Sequence, residues 1–133
     1  MLRWSNSFSV GNTTIDEQHK ELIAIINEVT RLISEEDFDY SNIVELIRRL
    51  EDYVKFHFDE EENLMLKYDY PQIEVHTNQH NQLRYKVFNT KIYDIDTPKE
   101  FYTEALIYLM DWLAKHIMQT DKQLANYIKT KEA

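Results

Sequence analysis

The stretch Ile43-Val-Glu-Leu46-Ile47-Arg-Arg-Leu50-Glu-Asp-Tyr-Val54-Lys-Phe-His57-Phe-Asp-Glu-Glu61-Glu-Asn-Leu64 decides the fold. Ile43, Leu46, Ile47, Leu50, Val54, His57, Glu61 and Leu64 recur at the steps of three and four that keep side chains on one face of an α-helix. No glycine or proline interrupts the run. The pattern predicts a helix from about Ser41 to Lys67. Its inward face carries a histidine and a glutamate among the aliphatics, and polar groups so placed need partners inside the protein.

Working outward, the same period recurs on both sides. From His19, the positions Leu22, Ile23, Ile26, Val29, Thr30 and Ile33 share one face, with Thr14 and Glu17 spaced for a capping box at the start. Residues 34–41 are acidic and polar and read as a loop. After the long helix, Tyr68-Asp-Tyr-Pro71 is a break, because proline disfavours helix at the residue before it. A third helix is expected from about Pro71 to Tyr93, with His76, His80, Leu83 and Val87 in register. Its apolar stripe is thin, so its inner face relies partly on the histidines. Asp94-Ile-Asp-Thr97 reads as a short loop. Thr97, Pro98 and Glu100 start a fourth helix whose inner face holds Leu106, Leu109, Trp112, Leu113, His116, Ile117, Asp121, Leu124 and Ile128. Ahead of them all, Trp4, Phe8 and Val10 sit in an extended N-terminal arm that packs its aromatics on the bundle. The expected fold is therefore all-α, an up-down-up-down antiparallel four-helix bundle with an N-terminal arm, in one domain over residues 1–133.

Composition agrees. With 43% hydrophobic residues, the 133-residue chain has enough apolar content for a core, and a single glycine and two prolines suit long helices with few turns. A net charge of −9, from 24 acidic against 15 basic residues, argues against nucleic acid or anionic lipid as a partner. The absence of cysteine excludes disulfides, thiolate chemistry and iron–sulfur clusters. The first ten residues lack the apolar core of a signal peptide, and no run approaches membrane-spanning length. A soluble cytoplasmic protein, monomeric and without a membrane partner, is expected.

All five histidines, His19, His57, His76, His80 and His116, fall on the expected buried stripes. One such histidine is ordinarily a hydrogen-bonded core residue. Five among Leu and Ile would find few partners, whereas a metal ion accepts the lone pair of each neutral imidazole. His57 and Glu61 stand four apart on one helix, and His76 and His80 four apart on the next, so each pair can converge. His116 and Asp121 stand five apart, about 140° on an ideal helix, which is wide for one site, but Asp121 follows Ile117 by four residues and Leu113 by eight, so its flank still faces inward, and a local bulge is one way to bring both to one site. Carboxylates are poor evidence by themselves in so acidic a chain. Asp59, Glu60 and Glu62 read as solvent-facing, and Asp16 as a first-turn acid favoured by the helix dipole rather than a group orienting His19.

The pattern His19, His57-x-x-x-Glu61, His76-x-x-x-His80, His116-x-x-x-x-Asp121 resembles that of the hemerythrins. The flanking residues Ile15-Asp-Glu-Gln-His19, Met65 through Tyr70-Pro71, and Trp112-Leu-Ala-Lys-His116-Ile resemble the single-domain bacteriohemerythrin branch. The resemblance spans nearly the whole chain, and every ligand position of the motif is filled. It implies reversible dioxygen binding, for carriage, storage or delivery, at a non-haem di-iron centre, and no enzymatic activity. It implies one iron on His76, His80 and His116, a second on His19 and His57, and bridges by Glu61, Asp121 and a solvent-derived oxygen. Two octahedral metals so ligated keep one open position, on the metal with two histidines. Leu22, Ile23, Phe56, Trp112, Leu113 and Ile117 are the candidate lining of an oxygen pocket beside it, and each also serves as ordinary core. Imidazole and carboxylate donors fit manganese, cobalt or zinc as well, so iron rests on the resemblance.

Other readings use the same bundle. Ferritin-like ferroxidases carry Glu-x-x-His on two helices, and no Glu-x-x-His occurs here. A module that senses oxygen, nitric oxide or iron would need an output domain or a partner. A purely structural bundle would leave five core imidazoles to find partners.

Overall fold

The computed structural model describes residues 2–35, 39–88 and 97–132. Among them there are helices and no strands. Helix α1 is Thr13–Ile33, α2 is Tyr40–Lys67 and α3 is Ile73–Leu83. A π-helical turn, Arg84–Phe88, continues α3. Helix α4, Lys99–Lys115, passes through a second π-helical segment, His116–Asp121, into α5, Lys122–Glu132, so the last three form one continuous rod.

The ends of α1 and α2 follow local chemistry, with small departures from the expected caps. Asn12, not Thr14, caps α1: its side chain accepts from the Ile15 amide at 3.1 Å. Asp39 caps α2 through the Ser41 amide at 2.8 Å. Helix α2 stops before Pro71 is reached. Asp69 takes a left-handed φ of 50°, a conformation Asp tolerates better than most residues. The Tyr70 amide then reaches back to Met65 O at 2.9 Å and the Asp69 amide to Leu66 O at 3.3 Å, closing a Schellman motif. Pro71 keeps the chain from resuming the helix at once, and α3 starts at Ile73. Helix α4 starts at Lys99 with Pro98 in the cap position, one residue later than expected. The expected end of the third helix, at 89–93, and the loop 94–96 lie outside the described residues.

Neighbouring helices run antiparallel. His19 near the start of α1 meets His57 near the end of α2, and Glu21 meets Arg49. Glu62 of α2 meets His80 and Arg84, Gln79 of α3 meets Thr120, and Lys86 lies over the ring of Tyr108. His19 meets Asp121 to close the ring of helices. Ile26, Val29, Ile43, Ile47, Leu50, Leu83, Tyr102 and Leu109 fill the half of the bundle away from the histidines, and none of them is more than 1% exposed. Each such side chain contributes about 1.5–3 kcal/mol by leaving water.

The N-terminal arm packs as expected. Val10 is buried, and Trp4 and Phe8 lie against the core with ring centroids 6.0 Å apart. Asn27 clamps Leu2 through both backbone groups, at 3.2 and 2.6 Å. Asp16 does more than favour a helix dipole: its carboxylate accepts from Val10 N at 2.8 Å and Ser9 Oγ at 2.6 Å, tying the arm to α1. Gly11 turns the chain between them at a φ of 81°, where any side chain would be strained.

Candidate metal centre

The five histidines, Glu61 and Asp121 are all buried, and they converge on one point between the helices. His19 comes from α1, His57 and Glu61 from α2, His76 and His80 from α3, and His116 and Asp121 from the π-helical segment. The expected bulge is thus real. The wider turn brings His116 and Asp121 to one side, with His116 Nε2 2.9 Å from Asp121 Oδ1.

Potential donor atoms sort into two groups that share both carboxylates. Glu61, His76, His80, His116 and Asp121 form one, and His19, His57, Glu61 and Asp121 the other, with the ligand atoms of each group within 4.8 Å of one another. In the first, His76 Nε2 stands 3.0 Å from Asp121 Oδ1, and His80 Nε2 3.1 Å from Glu61 Oε1. In the second, His19 Nε2 is 2.8 Å from Asp121 Oδ2 and 3.1 Å from His57 Nε2, which is itself 3.6 Å from Glu61 Oε1.

These atoms face one another without completing a hydrogen-bond network. Glu61 Oε2 is buried without a hydrogen-bond partner, and the Asp121 oxygens and His76 Nε2 meet their neighbours at 2.8–3.0 Å as ion-pair contacts without well-aligned hydrogen bonds. Such groups cost about 1–3 kcal/mol each when left unmade. A cation at the centre of each group would satisfy them all at once, so the donor set fits a pair of bound metal ions.

The electrostatics fit as well. Burial, reinforced by the neighbouring His19, holds His57 well below its usual range, and burial lowers His80 to about 4, so both are neutral donors at pH 7. Burial also works against the charged form of His116, but Asp121 beside it outweighs that and raises it to about 9. Glu61 is pushed well above the usual carboxylate range by burial and then by Asp121. Asp121 is held well below it, because His116, His19 and His76 outweigh its burial. A cation between these groups would compete with the protons that Glu61 and His116 favour.

Outward-facing ring nitrogens are held by residues that periodicity did not single out. His57 Nδ1 donates to Gln18 Oε1 at 2.6 Å, and His116 Nδ1 to Gln79 Oε1 at 2.8 Å. Gln79 Oε1 also accepts from Thr120 Oγ1 at 2.8 Å. Each glutamine immediately precedes a histidine of the cluster in the chain, a signal visible only once a partner ring is known. Glu62 does not simply face solvent: its carboxylate lies 3.3 Å from His80 Nδ1. Burial works against the Glu62 charge, but His80 and Arg84 hold its carboxyl below the usual range.

The candidate pocket residues divide. Leu22, Ile23, Leu113 and Ile117 are buried in the apolar core. Phe56 is 47% exposed and packs beside Tyr53 on the outside of α2, because it falls one residue off the inward stripe. Trp112 is half-buried and stacks on His116, of the three-histidine group, at 4.4 Å. Phe58, outside the candidate set, stacks flat on His80 at 3.8 Å.

Fold and site together define a helical bundle with a buried cluster of histidines and carboxylates able to hold cations. Comparison with known proteins agrees: residues 10–128 match the model of the hemerythrin HHE cation binding domain. The chain belongs to the hemerythrin family. It is similar to a bacteriohemerythrin of Clostridium acetobutylicum, 32% identical over 127 residues that cover 92% of this chain and 98% of that one. It is 29% identical to a hemerythrin-like protein of Naegleria gruberi over 89% of its own length and 86% of the other. The crystal structure of a wild-type hemerythrin superposes with a TM-score of 0.77 over 95% of this chain and 96% of that one, at 25% identity.

Proposed function

We propose that this chain binds dioxygen reversibly at a di-iron centre held by His19, His57, Glu61, His76, His80, His116 and Asp121. The observation that carries this is the division of one buried cluster into a three-histidine and a two-histidine group joined by Glu61 and Asp121. With His76, His80 and His116 holding one metal and His19 and His57 the other, the unequal histidine count would leave the open position on the second. Leu22, Ile23, Leu113 and Ile117 belong to the buried apolar core and lie close in sequence to His19 and His116. An apolar surround favours a neutral diatomic ligand over charged products of its reduction, so the ligand leaves as it came. Bound ferrous ions would supply the electrons that dioxygen binding draws on.

His57 and His80 are neutral near pH 7 and ready to donate lone pairs, while Gln18, Gln79 and Glu62 fix the orientation of three rings. The donor set is rich in imidazole and holds only two carboxylates. That gives little anionic support for highly oxidised iron, and it favours binding over oxidase or ferroxidase turnover. A sensing role would use the same centre and need a partner to read it.

The test is spectroscopic. The purified chain is loaded anaerobically with ferrous iron and passed through alternating air and argon. A visible charge-transfer band should rise in air and vanish under argon, and His19→Ala should remove it. Iron that oxidises once and never cycles would point to iron handling or sensing instead.

A further inference from the structure

The three histidines whose outer nitrogens are held have unequal partners. His57 and His116 donate to neutral amides, those of Gln18 and Gln79. His80 alone faces a carboxylate, that of Glu62, 3.3 Å from its Nδ1. The same Glu62 Oε2 accepts from Arg84 Nη2 at 3.0 Å. Arg84 is held in turn by Asn81 Oδ1 at 2.8 Å, with Asp59 Oδ1 at 3.7 Å. Its guanidinium lies 5.0 Å over the ring of Phe58, which also stacks on His80 at 3.8 Å with the rings 4° from parallel. Arg84 opens the π-helical turn that continues α3.

We infer that Glu62 and Arg84 form a balanced clamp on His80 that sets how strongly this imidazole donates to the three-histidine metal. With Nε2 turned to the cluster, the ring proton sits on Nδ1 and points at Glu62. A carboxylate there draws the proton and gives the ring imidazolate character, which strengthens its Nε2 donor and favours the oxidised metal. Arg84 shares the same oxygen, withdraws part of that charge and so limits the effect. The two residues therefore act in opposite directions on one ring, and both are positioning residues, since neither belongs to the donor cluster. The inference rests on the metal-binding reading of that cluster.

Glu62→Gln and Arg84→Gln test it, with Arg84→Lys to restore the charge. Glu62→Gln keeps an acceptor for Nδ1 and makes His80 resemble His57 and His116. In the iron-loaded protein it should raise the reduction potential and weaken metal retention about tenfold, the lower end of what such outer contacts carry. Arg84→Gln should lower the potential, and Arg84→Lys should return it most of the way. In the zinc-loaded protein, where neither iron nor oxygen is involved, the His80 Nδ1 proton resonance should move upfield in Glu62→Gln and downfield in Arg84→Gln. A role in packing alone would loosen the site in both variants and move both readings the same way. That result, or no movement in either, overturns the clamp while leaving the metal centre intact. A wild-type chain that takes up neither iron nor zinc overturns the metal reading, and the clamp with it.

Discussion

His116 Nε2 and Asp121 Oδ1 lie 2.9 Å apart although the two residues are five positions apart in the chain. On a regular α-helix they would diverge by about 140°. The π-helical segment His116–Asp121 removes that divergence and lets one strand of backbone supply both a terminal and a shared donor. Thr120, inside the segment, bonds Gln79, which also holds His116. The unusual backbone and the ring it presents are therefore fixed by the same side chain.

Asp121 and Glu61 belong to both donor groups, and each histidine to one. Replacing His19 by Ala should reduce bound metal from about two per chain toward one, because the three-histidine group keeps its own donors. Asp121→Asn should weaken both ions together. Metal content after dialysis against a mild chelator, measured by elemental analysis, distinguishes the two patterns. Equal loss in both variants would show that the groups do not load separately.

Buried atoms left without hydrogen bonds should make the metal-free fold less stable than the loaded one. At free metal a thousand times its dissociation constant, binding adds about 4 kcal/mol. For a domain of this size the Tm should rise by more than ~10 °C. Calorimetry with and without chelator checks this, and an unchanged Tm would mean the cluster binds no metal.

Stability of the metal-free protein should peak near neutral pH. His57 and His80 are depressed in the fold, His80 to about 4, so protonation favours the unfolded chain and stability is lost as pH falls below 6.5. The depressed Asp121 adds to this acid limb below its ordinary range. His116 is raised to about 9, so its contribution is full below 6.5 and is lost as pH rises toward 9. Glu61, also raised, acts in the same alkaline direction. Urea unfolding in the presence of chelator, at a series of pH values, should give a midpoint that falls on both sides. A midpoint that climbs steadily from pH 5 to 9 would contradict the balance of these shifts.

Two phenylalanines two positions apart should behave differently. Phe58 is 1% exposed and stacks on His80, so Phe58→Ala should cost about 3–5 kcal/mol and loosen the three-histidine metal. Phe56 is 47% exposed, and Phe56→Ala should stay within about 0.5 kcal/mol. Chemical denaturation of both variants decides it.

Much of this was legible in the sequence because burial writes a period of three to four. The helices, the inward histidines and Glu61 follow from that period, and the five-residue spacing of His116 and Asp121 marks the place of the bulge. What escaped was set by contacts across helices. Hydrophobicity marks Phe56 and Trp112 as apolar without saying which ring each meets. Gln18, Gln79 and Glu62 look like ordinary polar residues until the outer nitrogens of His57, His116 and His80 are placed beside them. The π turn at Arg84 has no periodic mark, since it lies where the apolar stripe is thinnest. The Thr14 and Glu17 spacing points too far into the helix, and Asn12, a stronger cap by type, takes the Ile15 amide instead.

The most direct measurement is gas uptake. The anaerobic, ferrous-loaded protein is exposed to a known amount of oxygen, its uptake is recorded, and the gas is recovered under argon. Reversible binding predicts about one dioxygen for each pair of irons, returned nearly in full over repeated cycles. Uptake that is not returned, with iron left in the ferric state after the first exposure, would contradict it.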